Sequence, residues 1–129
     1  MTRYAIKVVP PEWDYSMPLP FSRTMHDYNR IESGMRVLIY RSGVGIVGET
    51  EINSPFATPN EWPSDLIDDM PGAVASADYF LPLGGLYYRG KVIHPDVVRQ
   101  ILSDSTFPAF EAWRPIDAQT YQQLIRRLL

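Results

Sequence analysis

Twelve prolines are scattered through 129 residues at short intervals, which predicts that no long helix forms before residue 95. The chain between them is read as short strands and turns. Tyr4-Ala5-Ile6-Lys7-Val8-Val9 is dominated by β-branched and aromatic residues and predicts a strand, ended by Pro10-Pro11, which removes two successive backbone donors. Residues 12–31 predict a loop with at most one helical turn near residues 22–28, because Pro18 and Pro20 oppose regular structure earlier. Ser33-Gly34 supplies a turn, and residues 36–40 have so few polar interruptions that they predict a central strand buried on both faces. After the turn cluster Ser42-Gly43-Val44-Gly45, residues 46–52 alternate. Val47, Glu49 and Glu51 fall on one side, with Ile46, Gly48, Thr50 and Ile52 on the other, which completes a β-hairpin.

Pro55, Pro59, Pro63 and Pro71 mark an excursion in which residues 64–69 predict one short helix capped by Ser64. Residues 78–83 and 86–93 predict two further strands joined by Gly84-Gly85, a dipeptide suited to a tight hairpin turn. From Pro95 the period becomes helical, with Val97, Val98, Ile101 and Leu102 on one stripe and an end near Ser105. A last helix has Asp117 as N-cap and Ile116 and Tyr121 as a hydrophobic staple, while Tyr121, Leu124, Ile125 and Leu128 form its apolar face. Arg126 and Arg127 complement its negative pole. The expectation is a single domain over residues 1–129 of α+β class, with about five strands and flanking short helices.

Zero cysteines exclude a disulfide framework, a thiolate nucleophile, a zinc–thiolate site and an iron–sulfur centre. The longest apolar run is Val37-Leu38-Ile39-Tyr40, far short of the roughly 20 residues of a membrane span. The opening residues run straight into a strand pattern, so a soluble cytoplasmic protein with no membrane partner is expected. The net charge of −3 argues against indiscriminate coating of nucleic acid. Its distribution is uneven: residues 1–41 carry +2, residues 42–88 carry seven acids and no base, and the remainder carries +2. Any polyanion therefore meets the ends of the chain, unless these charges are simply solvated faces.

Gly43-Val44-Gly45-Ile46-Val47-Gly48 matches a dinucleotide-binding pattern, but a strand follows it where a helix is required, so it is read as a hairpin turn. Of the two histidines, His94 is placed at a helix start and His26 in a loop; neither has a second histidine at metal-ligand spacing, and no metal or cofactor is expected. Glu49 and Glu51 share a strand face and could form a carboxylate pair for acid–base chemistry, although solvent exposure explains them more simply. Trp13 and Trp62 fall in loops, where flat rings can stack a planar base and gain from an added methyl group, or can cap the core.

Residues 4–13, the stretch 33–42 ending Tyr40-Arg41-Ser42, the returning strand 45–52 and residues 78–93 together resemble the EVE domain of the PUA-like superfamily. The likeness spans nearly the whole chain. It departs at Met35, where the family usually has aspartate, and in the absence of the Asn- and Arg-rich stretch that commonly precedes the Tyr-x-Ser strand. The resemblance implies a PUA-like mixed β-barrel whose pocket binds a modified base of DNA or RNA. Matched positions are Lys7, Trp13, Tyr40 and Ser42; Trp62 joins them on chemical grounds, with Arg23, Arg30 and Arg41 as phosphate contacts. No catalytic residue is assigned. The alternatives are a nucleoside hydrolase like some ASCH-type relatives, using Lys7, Thr24 and Glu49 or Glu51, and a protein-interaction module without a pocket.

Overall fold

The computed structural model describes residues 3–22, 31–53, 64–88, 90–109 and 111–129. In chain order these form β1 (Tyr4–Val9), β2 (Leu19–Phe21), β3 (Arg36–Arg41), β4 (Gly45–Glu51), α1 (Ser64–Asp68), α2 (Gly72–Ala75), β5 (Tyr79–Leu81), β6 (Leu86–Tyr87), α3 (Pro95–Leu102), β7 (Trp113–Ile116) and α4 (Ala118–Ile125). Five strands make a mixed sheet in the order β6-β4-β3-β1-β7, and β2 and β5 pair separately as an antiparallel ribbon. Within the sheet β1 runs parallel to β3, and its other pairings are antiparallel. The central place and two-sided burial expected of β3 are found. The two end strands β6 and β7 do not pair among the described residues, so no hydrogen-bonded barrel closes there.

The sheet separates two apolar clusters. On one face Ala5, Val9, Val37 and Ile39 pack beneath Trp13, the β2–β5 ribbon and Trp113. On the other, Ile6, Leu38, Tyr40 and Ile46 pack beneath α3 and α4 through Val98, Tyr121, Leu124 and Ile125. The terminal helix obeys its sequence signals: Asp117 Oδ1 accepts from Thr120 N at 2.7 Å, and the predicted stripe is buried. Proline opens α3, His94 Nδ1 caps it by accepting from Asp96 N at 3.2 Å, and Ser103 in the left-handed region ends it slightly earlier than expected. Among the described residues no helix is long and apolar enough to cross a membrane.

Three expectations are corrected. Residues 19–21 are a strand despite Pro20, and Pro115 lies within β7; both strands sit at an edge, where a missing N–H donor is tolerated. Gly84-Gly85 does not join two strands into a hairpin, because β5 pairs with β2 and β6 pairs with β4. Neither glycine has a positive φ. A Cβ at Gly84 would collide with the Glu51 carbonyl and the Asn53 amide, so this glycine permits close approach instead of a turn. In β4 the register shifts between Ile39↔Gly48 and Tyr40↔Ile46, leaving Val47 as an extra residue. This bulge resets the alternation and puts Ile46 on the same face as Glu49.

The turn into β4 is conformationally demanding. Gly45 has φ +119, and a Cβ there would overlap the Ile93 carbonyl, which accepts from Ile46 N at 3.0 Å. Gly43 has φ +79 but opens onto free space. Gly43→Ala is expected to cost about 1 kcal/mol from the left-handed backbone alone, and Gly45→Ala at least about 2 kcal/mol more because the bridge to Ile93 must also shift. Urea denaturation of both variants measures the difference; equal losses would show the Ile93 contact to be unimportant.

Candidate functional site

Strand parity puts Lys7 on the ribbon-side face, between Ala5 and Val9 and opposite Ile39 and Trp113. The side chain is 3% exposed. Its Nζ lies 4.4 Å from the centroid of the Phe21 ring, which is itself tilted against Trp113 with centroids 5.7 Å apart. Burial lowers the pKa of this ammonium from 10.5 to about 7, and no hydrogen bond or ion pair to a carboxylate offsets the desolvation among the described residues. A cation–π contact contributes on the order of 2 kcal/mol, less than burying an ammonium costs. Lys7 is therefore an expensive residue for a purely structural role.

Arg41 stands two positions beyond Ile39 on β3 and pairs in register with Val9, so alternation places it on the same face as Lys7, about 8 Å away by strand spacing and rise. Its Nε is buried and has no hydrogen-bond partner among the described residues. Such an orphaned donor is uncommon and calls for an explanation. Ser42 follows at the turn, partly exposed, with its N–H donating to Val9 O at 3.0 Å. Lys7, Arg41 and Ser42 thus gather at one end of the β1–β3 pair.

The remaining predicted site residues do not join them. Trp13 is 1% exposed. Trp13 N donates to Pro10 O at 3.0 Å, folding the loop back, and the indole Nε1 donates to Pro18 O at 2.9 Å. Its ring also meets Tyr15 edge-on, so it belongs to the core and offers no free face to a base, contrary to expectation. Tyr40 lies on the opposite face of the sheet, edge-on to Phe107 at 5.2 Å, and burial raises its hydroxyl pKa. It cannot share a pocket with Lys7 through the intervening sheet. Trp62, Arg23 and Arg30 lie outside the described residues, as do Thr24 and His26.

Glu49 also departs from expectation, because it is fully buried. Arg36 Nε donates to its Oε1 at 2.9 Å, Arg36 Nη2 donates to the same oxygen, and the Tyr121 hydroxyl donates to Oε2. The Arg36 guanidinium rests over Tyr87 at 4.6 Å, and the Tyr121 ring stacks on Tyr4 at 4.0 Å. Burial, and then the adjoining Glu49, push the Tyr121 hydroxyl pKa well up. This network ties α4 to the hairpin. It also lies on the helix-side face, so Lys7 and Glu49 are divided by the sheet. The sequence hid the network because its members are distant in the chain; the visible trace was a hydroxyl, Tyr121, in an otherwise aliphatic stripe. Among the described residues no three acidic or imidazole side chains are placed to hold a metal ion.

No protein-family model matches the chain, and neither does any curated protein. Solved structures do share its fold. Protein Atu2648 from Agrobacterium tumefaciens superposes with a TM-score of 0.60 at 13% identity, over 98% of this chain and 92% of that one. A Pseudomonas putida protein gives 0.64 at 12% identity, over 98% and 99%, and the NMR structure of Rpa0253 from Rhodopseudomonas palustris gives 0.59 at 15% identity, over 97% and 92%. Similarity at this level establishes a common fold.

Because the folded pKa of Lys7 lies below its unfolded value of 10.5, the unfolded chain holds more protons between about pH 7 and 10, and this residue makes stability rise with pH across that window. Its contribution approaches about 1.4 kcal/mol per pH unit. Lys7→Met is expected to stabilise the protein at pH 7 and to remove that increment, read as the difference between variant and wild-type urea midpoints at pH 6.5, 8 and 9.5. Glu49→Gln, which leaves Arg36 without its carboxylate, is expected to destabilise by about 3 kcal/mol. Glu51→Gln, at a partly exposed position, should cost less than about 1 kcal/mol in the same assay.

Proposed function

We propose that this chain is a nucleic-acid-binding module that recognises a modified base, with Lys7 and Arg41 as its contacts on one sheet face. The observation that supports this reading most is the pairing itself. Two cationic side chains face the same way near the end of parallel strands, and neither Lys7 nor the Arg41 Nε has a described carboxylate or carbonyl partner. Donors left in this state suit the acceptor-rich edge of a base and the phosphate beside it. The carboxyl ends of parallel strands are also a common place for ligands to bind. The resemblance to EVE and other PUA-like domains points to the same chemistry, and within this reading the sheet and ribbon together stand for the family's barrel. Ser42 is added at the rim, and Arg23 and Arg30 remain proposed phosphate contacts. A cytoplasmic location accompanies the proposal.

A second reading, a protein-interaction module, draws support from the inward packing of Trp13 and from a cleft of about 230 Å3 lined by Ser16, Met17, Leu66, Asp69 and Met70. Leu66 is nearly half exposed there, and methionine-lined surfaces adapt readily to different partners.

Fluorescence anisotropy with methylated, hydroxymethylated, formylated and carboxylated DNA and RNA oligonucleotides at low salt separates the two. Binding to at least one probe is expected, weakened about tenfold or more by Arg41→Gln. Silence across the panel, at an ionic strength where phosphate contacts are strongest, would remove the nucleic-acid reading in favour of the second.

A further inference from the structure

The donors at the β1–β3 end specify more than a nucleic acid. A pocket that selects a methyl group needs apolar or aromatic walls and no unpaired charge; here the Phe21 ring and Trp113 flank a cation, and Trp13 is committed to the core with its indole N–H bonded to Pro18. What the face presents instead is the Lys7 amine at its buried end and the Arg41 Nε nearer solvent, both awaiting electron pairs. Two acids of the neighbouring segments are committed to other partners. Glu49 is held by Arg36 and Tyr121 across the sheet, and Asp14 accepts from Ser16 N at 2.8 Å within its own loop.

We infer that the modification recognised here carries an acceptor or a negative charge, such as a carboxyl or formyl group on a pyrimidine, in preference to a bare methyl group. The inference rests on the nucleic-acid reading above and narrows its ligand class. A carboxylate that reached both side chains would receive charge-assisted hydrogen bonds from each. A methyl group in the same place would leave each donor unpaired and desolvated. The buried amine fits this role on a second count: burial brings its pKa to about 7, so an arriving anion shifts it toward the charged form and binding takes up a proton near neutral pH. Flanking Lys7 are the Phe21 ring, Ile39 and Trp113, none of which titrates in that range, and the charged group that shares its face is Arg41.

The test uses four single-stranded DNA oligonucleotides that differ in one cytosine, which is unmodified, 5-methyl, 5-formyl or 5-carboxyl. Single strands remove the cost of extracting the base from a duplex. The overall charge of −3 repels an added carboxylate, so long-range electrostatics work against the expected order. Wild type is expected to bind the 5-carboxyl probe at least tenfold more tightly than the 5-methyl probe, with 5-formyl between them. Arg41→Lys, which keeps the charge and removes the Nε donor, and Lys7→Met should each bring that ratio close to one while both variants still melt cooperatively. A 5-methyl probe bound as tightly as the 5-carboxyl probe overturns the inference and leaves the nucleic-acid reading intact. A preference that survives both substitutions overturns the assignment to these residues. No binding to any of the four probes overturns the underlying reading and the inference together.

Discussion

The parallel pairing of β1 with β3 is the constraint from which the rest of the arrangement follows. Parallel neighbours cannot be joined by a tight turn, so the chain must leave the end of β1 and travel back along the sheet before β3 begins. That return carries Trp13 and β2 across one face and supplies its apolar cover. It also brings the carboxyl ends of both strands to the same edge of the molecule. Lys7 and Arg41, far apart in the chain, become neighbours there because the strands run alike.

The opposite face solves a different problem. The terminal helix must be fixed against a hairpin whose alternation is interrupted, and the extra residue Val47 turns Glu49 inward to do it. A buried carboxylate is tolerable because Arg36 and Tyr121 together satisfy both of its oxygens. The two faces therefore treat charge in opposite ways. One buries an acid with its partners supplied, and the other buries a base that has no carboxylate partner among the described residues.

Much of this was legible from residue order alone, and what failed did so for identifiable reasons. Helices α3 and α4 could be placed because proline, a capping aspartate and a single apolar stripe act locally. The β3–β4 hairpin followed from its turn glycines, yet the bulge within it did not, since one inserted residue leaves composition unchanged while reversing which side chains face inward. Strand β2 is hidden because Pro18 and Pro20 read as breakers, when the real restriction of a proline concerns the number of neighbours a strand has, and nothing local marks the four residues of β7. The site was only half readable. Lys7 and Arg41 stood among the candidates, but sequence could not tell that Tyr40 would emerge on the far side of the sheet or that Trp13 would find a carbonyl for its indole.

Proline also bears on how the molecule behaves at high concentration. Strand β7 closes one margin of the five-stranded sheet, and Pro115 deprives that margin of a donor that a foreign strand would need to extend the ladder. Among the described residues the other margin, β6, comprises Leu86 and Tyr87, too short a template for stable addition. The sheet is thus blunted on both flanks, and residues that look like interruptions in the primary sequence guard the fold against fibrous self-association.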